Sequence, residues 1–527
     1  MTWLHSEALL RLIYSAENQI PVNDYVVDGV HVWPIVRMTL CYGTVNNDAD
    51  NDPEITGNSF WQQLVAAIET RFQADYAVRQ PLYRGDRRLE DFLPRPGAGT
   101  LGRRVASMTH DLLFFVRADE HFQKMDGGFR APVLDPWYEA AVARQMRVMK
   151  FEYLSEQLSL ERMPRWHPTF LLPRSPCLLP AQTTPALSEA LLESCDALSR
   201  RLSKWIETQF GLFLNPDQLA QAAQRNLRSA YYFKCVFDRL FQQISAPAIL
   251  LNCYYHMMAF GLSWSAQHHG ILTAEVQHGI NGEAHMGYTH WSVLPPGGYC
   301  MLPTVFITWG LSAANNIARW WSDAPCRHQV IIGGKPAVSA ERNESDRNSL
   351  MARRDGFKKT LLVTLQTTQG TAISELLLAL FKEAPADWLW LVRAHPMAEP
   401  QRATYSKRGY IEEQLSEAGI SNVECEITTR ISLDDLLPLA EHHITYLSSV
   451  VFEALRYRIP TTFIHPAAPR NFYRTLIQEQ VAYYGATPEA ILASIQRGTA
   501  GINWERAEQE LLADPERIHQ TLAILAG

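Results

Sequence analysis

The chain reads as an α/β protein built of two Rossmann-like domains, and three observations carry that reading. Short apolar runs bounded by turn residues recur in both halves and alternate with helical stretches, the rhythm of parallel sheets covered on both faces. At 527 residues the chain exceeds what one hydrophobic core usually organises, so two or more domains are expected. Composition and turn chemistry change together around 327–338, where RHQVIIGGKPAV gives way to the charged segment AERNESDRNSLMARRDG. The division is therefore placed there, giving an N-terminal domain with helical insertions over 1–328 and a C-terminal domain over 329–527.

The elements follow in order. Residues 1–45 open with helical patterning, and Asp28-Gly29 marks a turn ahead of an apolar segment. Segments 46–53 and 93–102 are loops by their acid, proline and glycine content. The first clear strand is HDLLFFVR at 110–117. Helical patterning runs from 137 to about 160, residues 161–185 are proline-rich and irregular, and two helices span 186–244. Strands resume with PAILLNCYY at 247–255, ILTAEVQHG at 271–279 and TVFITWG at 304–310, with a helix over 257–267. Beyond the boundary come KTLLVTLQ, a helix over 371–383, WLWLVRAHP, a helix near 410–418 and NVECEI. A helix over 433–440, HHITYLSS, a helix over 450–456 and IPTTFIHP complete the alternation.

Composition excludes several function classes. Apolar residues make up 47% and charged residues 20% of the chain, the balance of a globular protein. A net charge of -7 argues against nucleic acid as a partner, since phosphate backbones call for a dominant basic face. The eight cysteines form no C-x-x-C pair and several lie in apolar runs, so they read as reduced thiols of a cytoplasmic protein. The N-terminus lacks the basic start and unbroken apolar core of an export signal. No apolar run reaches the roughly 18 residues that a membrane span needs. The segment DALSRRLSKWIETQFGLFL places Leu198, Leu202, Trp205 and Ile206 on one helical face. That face fits an ordinary core helix better than a membrane-surface helix, which leaves peripheral attachment open.

The residues that carry chemistry cluster at strand ends, where α/β sheets bind ligands. In WLWLVRAHP, His395 can donate to a phosphate oxygen, Pro396 ends the strand, and Arg393 supplies a cation beside them. In HHITYLSSVVFEAL, Ser448 and Ser449 fall at a strand-to-helix junction and Glu453 one turn later. Hydroxyls and free helix amides bind phosphate, and a carboxylate accepts from paired ribose hydroxyls; simple capping by a serine and a glutamate is the alternative. Thr367, with Gln366, Thr368 and Gly370, closes the first strand of the C-terminal half, where a diphosphate or ribose would sit. Lys335 in GGKP is a phosphate partner or a hinge lysine, and the string lacks the spacing of a Walker loop.

Ahead of the boundary lies EVQHGINGEAHMGYTHW at 275–291. Gly279 and Gly282 let the backbone approach a ligand, and His278 and His285 are candidate acids or bases facing the interdomain cleft. His278, His285 and His290 lack the close pairs usual in zinc sites, so no metal is assigned. Glu275 reads as packing against a neighbouring strand. Asp119, Glu120 and Asp126 follow the LLFFVR strand, as does Asp135. A carboxylate there would deprotonate an acceptor hydroxyl or attack an anomeric carbon, although Asp-Gly and Asp-Pro are also common turn pairs.

Two α/β domains, QHG before the boundary, then HP and SS at successive strand ends resemble the GT-B glycosyltransferases of bacterial capsule and lipopolysaccharide assembly. The similarity is to the branch that uses CMP-activated acid sugars, the Kdo transferases and bacterial sialyl- and polysialyltransferases. It is concentrated in residues 270–310 and 360–470. The resemblance implies two Rossmann-like domains facing each other across a cleft, with His395, Pro396, Ser448 and Ser449 on the CMP part of the donor. It makes His278 a cleft residue. The implied activity is transfer of a sugar, Kdo from CMP-Kdo, to a lipid-linked or oligosaccharide acceptor, without a cofactor beyond the donor. Association with the inner membrane or an assembly complex would follow from such an acceptor. The acidic base motif of the sialyltransferases is absent, since Asp119-Glu120 is followed by His121, and the catalytic carboxylate stays unassigned. A UDP-sugar, a dTDP-sugar or CDP-glycerol is the alternative donor on the same fold, and a non-catalytic subunit of an assembly complex is the alternative role.

Overall fold

The computed structural model describes residues 3–43, 108–117, 123–125, 128–153, 165–172, 185–319, 327–336, 344–366, 373–394, 407–511 and 515–527. Asp119, Glu120, Asp126, Thr367, His395 and Pro396 lie outside the described residues.

Two all-parallel sheets organise the chain. In the first, Leu112–Arg117 lies between Val148–Tyr153 and Ala248–Leu251. Phe170–Leu172 closes one edge, and Leu272–Val276, Val305–Thr308 and Gln329–Ile332 extend the other. Numbered by sequence, the strand order is 3-2-1-4-5-6-7. In the second, Lys359–Thr364 lies between Trp388–Arg393 and His442–Thr445. Val423–Glu424 closes one edge, and Thr461–Phe463 and Tyr483–Tyr484 extend the other, giving the order 3-2-1-4-5-6. Both are Rossmann orders, and in each the connections reverse direction between the first and fourth strands, opening a crevice at their carboxyl ends. The strands are buried nearly throughout, LLFFVR and WLWLVR up to their last residue, which explains why they read as continuous apolar runs. Residues that follow strands of the two sheets meet, Gly282 against Phe472, Trp309 against Phe452 and Lys335 against Glu453, so the chain is two Rossmann-like domains in contact beyond their strand ends.

Strand Gln329–Ile332, just past the boundary read from sequence, pairs with Val305–Thr308 in the first sheet. The C-terminal helix Pro515–Ala526 also returns to that sheet, where Ile518, Leu522 and Leu525 share a core with Phe114, Trp137 and Ile307. On the way back, the backbone of Gln509 and Glu510 passes so close to Gly310 that a Cβ there would stand 2.1 Å from the Glu510 carbonyl oxygen.

Local chemistry overturns two expectations from sequence. The helix expected to run to about 160 is the short Asp135–Ala143, and Val148–Tyr153 is a strand. Its alternating Lys150 and Glu152 break the apolar run, yet both are buried: Lys150 Nζ lies 2.6 Å from Asp135 Oδ1, and Glu152 pairs with Arg165. Asp135 is thereby spent on structure, since its other oxygen accepts from the Ala131 amide at 2.8 Å. Residues 170–172, read as irregular, form the edge strand. The turn at Asp28-Gly29 is present, both residues holding positive φ (51° and 78°) between two short antiparallel strands.

The helix Glu189–Phe210 buries Leu198, Leu202 and Ile206 in the main core against Pro216–Phe241 and Trp33–Met38. Its apolar face is thus core. The six described cysteines are buried. Among the described residues, no helix is long and apolar enough to cross a membrane.

Candidate functional site

The first sheet's crevice is built by residues just past its strands. Arg117 ends the first strand, and its guanidinium donates to Cys253 Sγ at 3.3 Å, across the switch point. His256 caps the helix Met257–His268, its Nδ1 accepting from the Ala259 amide at 3.3 Å. Beside them, past Leu272–Val276, the QHG segment is fixed by Gln277. Its side chain donates to the Gly279 carbonyl and accepts from the Trp309 amide, both at 2.8 Å.

His278 is the centre of this half. Its Nε2 lies 3.2 Å from the Tyr255 hydroxyl, and its Nδ1 lies 3.4 Å from the Tyr288 hydroxyl and 3.6 Å from Glu275 Oε1. Tyr288 donates in turn to that carboxylate, which is 1% exposed. The imidazole keeps about 20% of its side-chain surface open, so it is reachable while its partners are sealed. Burial and the nearby Arg117 charge push its pKa down to about 4, so the ring is neutral at pH 7. A hydrogen bond to the Val276 backbone opposes that shift. Glu275, expected only to pack, is thus the buried anchor of a hydrogen-bonded row, Glu275–Tyr288–His278–Tyr255.

His285 packs its ring on Tyr288 at 4.6 Å and on Tyr255 at 5.3 Å, and its Nδ1 accepts from the Gly287 amide at 3.2 Å. Burial lowers its pKa to about 3. His290 belongs elsewhere: its carbonyl accepts from Arg37 at 2.7 Å, and the same guanidinium takes the carbonyls of Met286 and Thr289. Arg37 is fully buried and pairs with Glu17 at 2.9 Å, so the N-terminal helices clamp the histidine loop from behind. Gly282 differs from expectation in its reason. A Cβ there would stand 2.8 Å from the Phe472 carbonyl oxygen, so the glycine lets the two domains' backbones meet rather than admitting a ligand.

In the second sheet, Ser448 and Ser449 follow His442–Thr445, the fourth strand, and so stand at the switch point. Both are half-buried. Ser448 Oγ accepts from the Val450 amide at 3.3 Å, and Ser449, the N-cap of Val450–Arg456, makes no capping bond with its side chain. The serine–glutamate capping box is therefore not formed. Glu453 pairs instead with Lys335, whose ammonium also lies 4.4 Å over the Trp309 ring. The structure thus brings Lys335 and Glu453 together, each neutralising the other, in a bridge between the interdomain segment and the second sheet. One oxygen of Glu453, Oε2, is buried without a hydrogen-bond partner.

Arg393 ends the strand next to the switch point, but its Nη1 donates to the Thr428 and Ile431 carbonyls, both at 2.6 Å. It ties the strand to the segment around the helix Glu426–Arg430.

The two halves meet through a continuous set of contacts. Gln277 holds the Trp309 amide, and Trp309 meets Phe452 edge-on at 5.7 Å. Glu283, five residues past His278, pairs with Arg474 at 3.0 Å and accepts from Thr475 at 3.2 Å. A pocket of about 20 Å³ lined by Asn281, Asn316, Phe452 and Tyr473 remains between them, room for a water and too small for a sugar. Arg117, Tyr255, Trp309, Glu275 and Tyr288 were not singled out as site residues from the sequence. Arg117 is the last residue of a legible strand, and Trp309 and Tyr255 lie one and four residues past two others, which is the signal that would have found them.

No family model matches the chain, and no curated protein matches its sequence. Solved structures with a related chain course include UDP-GlcNAc 2-epimerase from Neisseria meningitidis bound to UDP-GlcNAc. It is 13% identical with a TM-score of 0.45, the match covering 78% of this chain and 99% of that one. Sucrose-phosphate synthase from Thermosynechococcus elongatus is 14% identical with a TM-score of 0.40, over 79% of this chain and 96% of that one. UDP-GlcNAc 2-epimerase from Methanocaldococcus jannaschii is 11% identical with a TM-score of 0.43, over 79% and 99%. At these values the likeness is one of fold and says nothing of substrate.

Proposed function

We propose that the chain is a glycosyltransferase that takes a sugar from a nucleotide-activated donor held by the second sheet and passes it to a glycan hydroxyl in the first sheet's half of the cleft. The observation that carries the reading is the placement of Ser448 and Ser449 at the switch point of one Rossmann sheet and of the His278 row just past a strand of the other, in halves that meet through Gly282 and Phe472, Trp309 and Phe452, and Lys335 and Glu453. A transferase needs two substrates brought together in this way, and a single-substrate hydrolase does not.

In the proposed reaction the acceptor oxygen bonds to the anomeric carbon while the bond from that carbon to the donor phosphate breaks. The phosphate leaves with the electron pair, and its charge falls among the Ser448 and Ser449 hydroxyls. The acceptor's proton goes to a base. His278 is the described candidate, being neutral, reachable and backed by Glu275. Asp119, Glu120 and Asp126, which follow Leu112–Arg117 in the sequence and lie outside the described residues, are the candidates for a nucleophilic or basic carboxylate. Glu453 would accept from the ribose hydroxyls once it exchanges Lys335 for the nucleotide, and Lys335 would then be free for a phosphate. The order of HP and SS favours a CMP-activated acid sugar, with Kdo first, and an acceptor that belongs to a bacterial surface polysaccharide.

The test is turnover. Purified protein incubated with nucleotide sugars and an oligosaccharide acceptor is expected to release the free nucleotide only when both substrates are present. Release that is indifferent to acceptor would point to a hydrolase. No release from any CMP-, UDP- or dTDP-sugar would leave the fold without the proposed activity.

A further inference from the structure

The helix Met257–His268 begins beside His278 and ends, about 18 Å away at 1.5 Å per residue, in two adjacent histidines. His268 is the last helical residue, and His269 is its C-cap at φ -89° and ψ 3°, a bend that lets neighbouring rings converge. They converge on Asp238, near the end of the facing helix Pro216–Phe241. His269 Nε2 lies 3.3 Å and His268 Nδ1 lies 3.9 Å from the same oxygen, Asp238 Oδ1. All three ligand atoms fall within 4.8 Å of one another.

Those separations match a coordination polyhedron. Ligand bonds of about 2.0–2.2 Å in a tetrahedron place neighbouring ligand atoms roughly 3.3–3.6 Å apart. The His269 pair already meets that edge. His268 is 67% exposed, so a small ring rotation closes the other two without disturbing the core.

The surroundings are those of a held ligand. Ser265 Oγ donates to Asp238 Oδ1 at 2.7 Å, and Lys234 Nζ lies 2.6 Å from Oδ2, so the carboxylate is fixed with one oxygen turned to the imidazoles. The spacing of the two helices is set by Gly261, whose absent Cβ would stand 2.5 Å from the Ala230 carbonyl oxygen. Phe241 meets the His269 ring edge-on at 5.7 Å.

We propose that Asp238, His268 and His269 bind one divalent transition-metal ion of the zinc class, remote from the cleft, which clips the ends of the two helices together. Two imidazoles and a carboxylate suit such an ion better than calcium or magnesium, which prefer an all-oxygen shell. A water takes the fourth position. Because the ion binds the folded chain, it raises stability by mass action.

Zinc alone, titrated into chelator-treated protein and followed by calorimetry and thermal melting, tests the site. The expected result is one strong equivalent per chain with a raised melting temperature, both effects weakened about tenfold or more in His268→Ala and in His269→Ala. Asp238→Asn should behave alike; if it fails to fold, His268→Ala, a change at an exposed side chain, decides alone. No strong equivalent at micromolar zinc would overturn the site. So would an equivalent that survives the His268→Ala/His269→Ala double variant, since it would come from other groups, the other 15 of the chain's 17 histidines among them.

Discussion

The row Glu275–Tyr288–His278–Tyr255 places a buried carboxylate behind a reachable imidazole, and both ends of that statement can be measured. Tyr288→Phe removes one donor to a carboxylate that is 1% exposed, a change expected to cost about 1–3 kcal/mol of stability in urea unfolding. An unchanged midpoint would mean that the bond contributes nothing. His278→Ala is expected to leave that midpoint nearly intact and to lower transfer by about 10²–10⁴-fold, the usual worth of a positioned acid or base. The site was partly legible in sequence for a definite reason. His278 and Ser448-Ser449 follow uninterrupted apolar runs, so their place at strand ends could be read directly. Tyr288, ten residues past His278, and Glu275 inside a strand join the site only through tertiary contact. The pairing of Lys335 with Glu453 joins residues 118 apart in the chain and had no local trace.

At the scale of elements, parallel strands buried on both faces were the easiest to read, because LLFFVR, AILL and WLWLVR carry no alternation to confuse with a surface. Val148–Tyr153 was missed because Lys150 and Glu152 make it look amphipathic, and only the buried partners Asp135 and Arg165 reconcile those charges with a strand. Helix spacing was hidden for a related reason. Gly261 sits in the middle of Met257–His268, where glycine is normally unfavourable, and its value lies in the backbone of the facing helix. Gly261→Ala would put a methyl group 2.5 Å from the Ala230 carbonyl oxygen and 2.7 Å from the Lys234 amide nitrogen. Neither backbone atom can turn aside, so a loss of about 1–3 kcal/mol in unfolding experiments is expected despite alanine's better helix propensity. A stabilised Gly261→Ala variant would contradict the close packing of these helices.

Across the whole molecule, burial of histidines in both Rossmann-like domains gives the fold a pH signature. His256, His285, His442 and His443 are pushed down to about 3, and His278 and His328 to about 4, in each case chiefly by burial. Between pH 6.5 and about 4 the unfolded chain therefore binds protons that the folded chain does not, and stability falls as pH falls through that window. Denaturant unfolding should show a loss of at least about 3 kcal/mol between pH 7 and pH 5, and a flat profile would mean that these rings are not held neutral. Whether the switch point of the second sheet holds the nucleotide of a sugar donor is decided by a binding panel. CMP, CDP, UMP, UDP and dTDP are each titrated into the wild type and into Ser448→Ala/Ser449→Ala, with melting temperature and calorimetry as readouts. One nucleotide, CMP first, is expected to bind and raise the melting temperature, and the double variant to lose most of that effect while keeping its own fold. Failure of all five to bind, or equal binding to the double variant, would contradict that expectation.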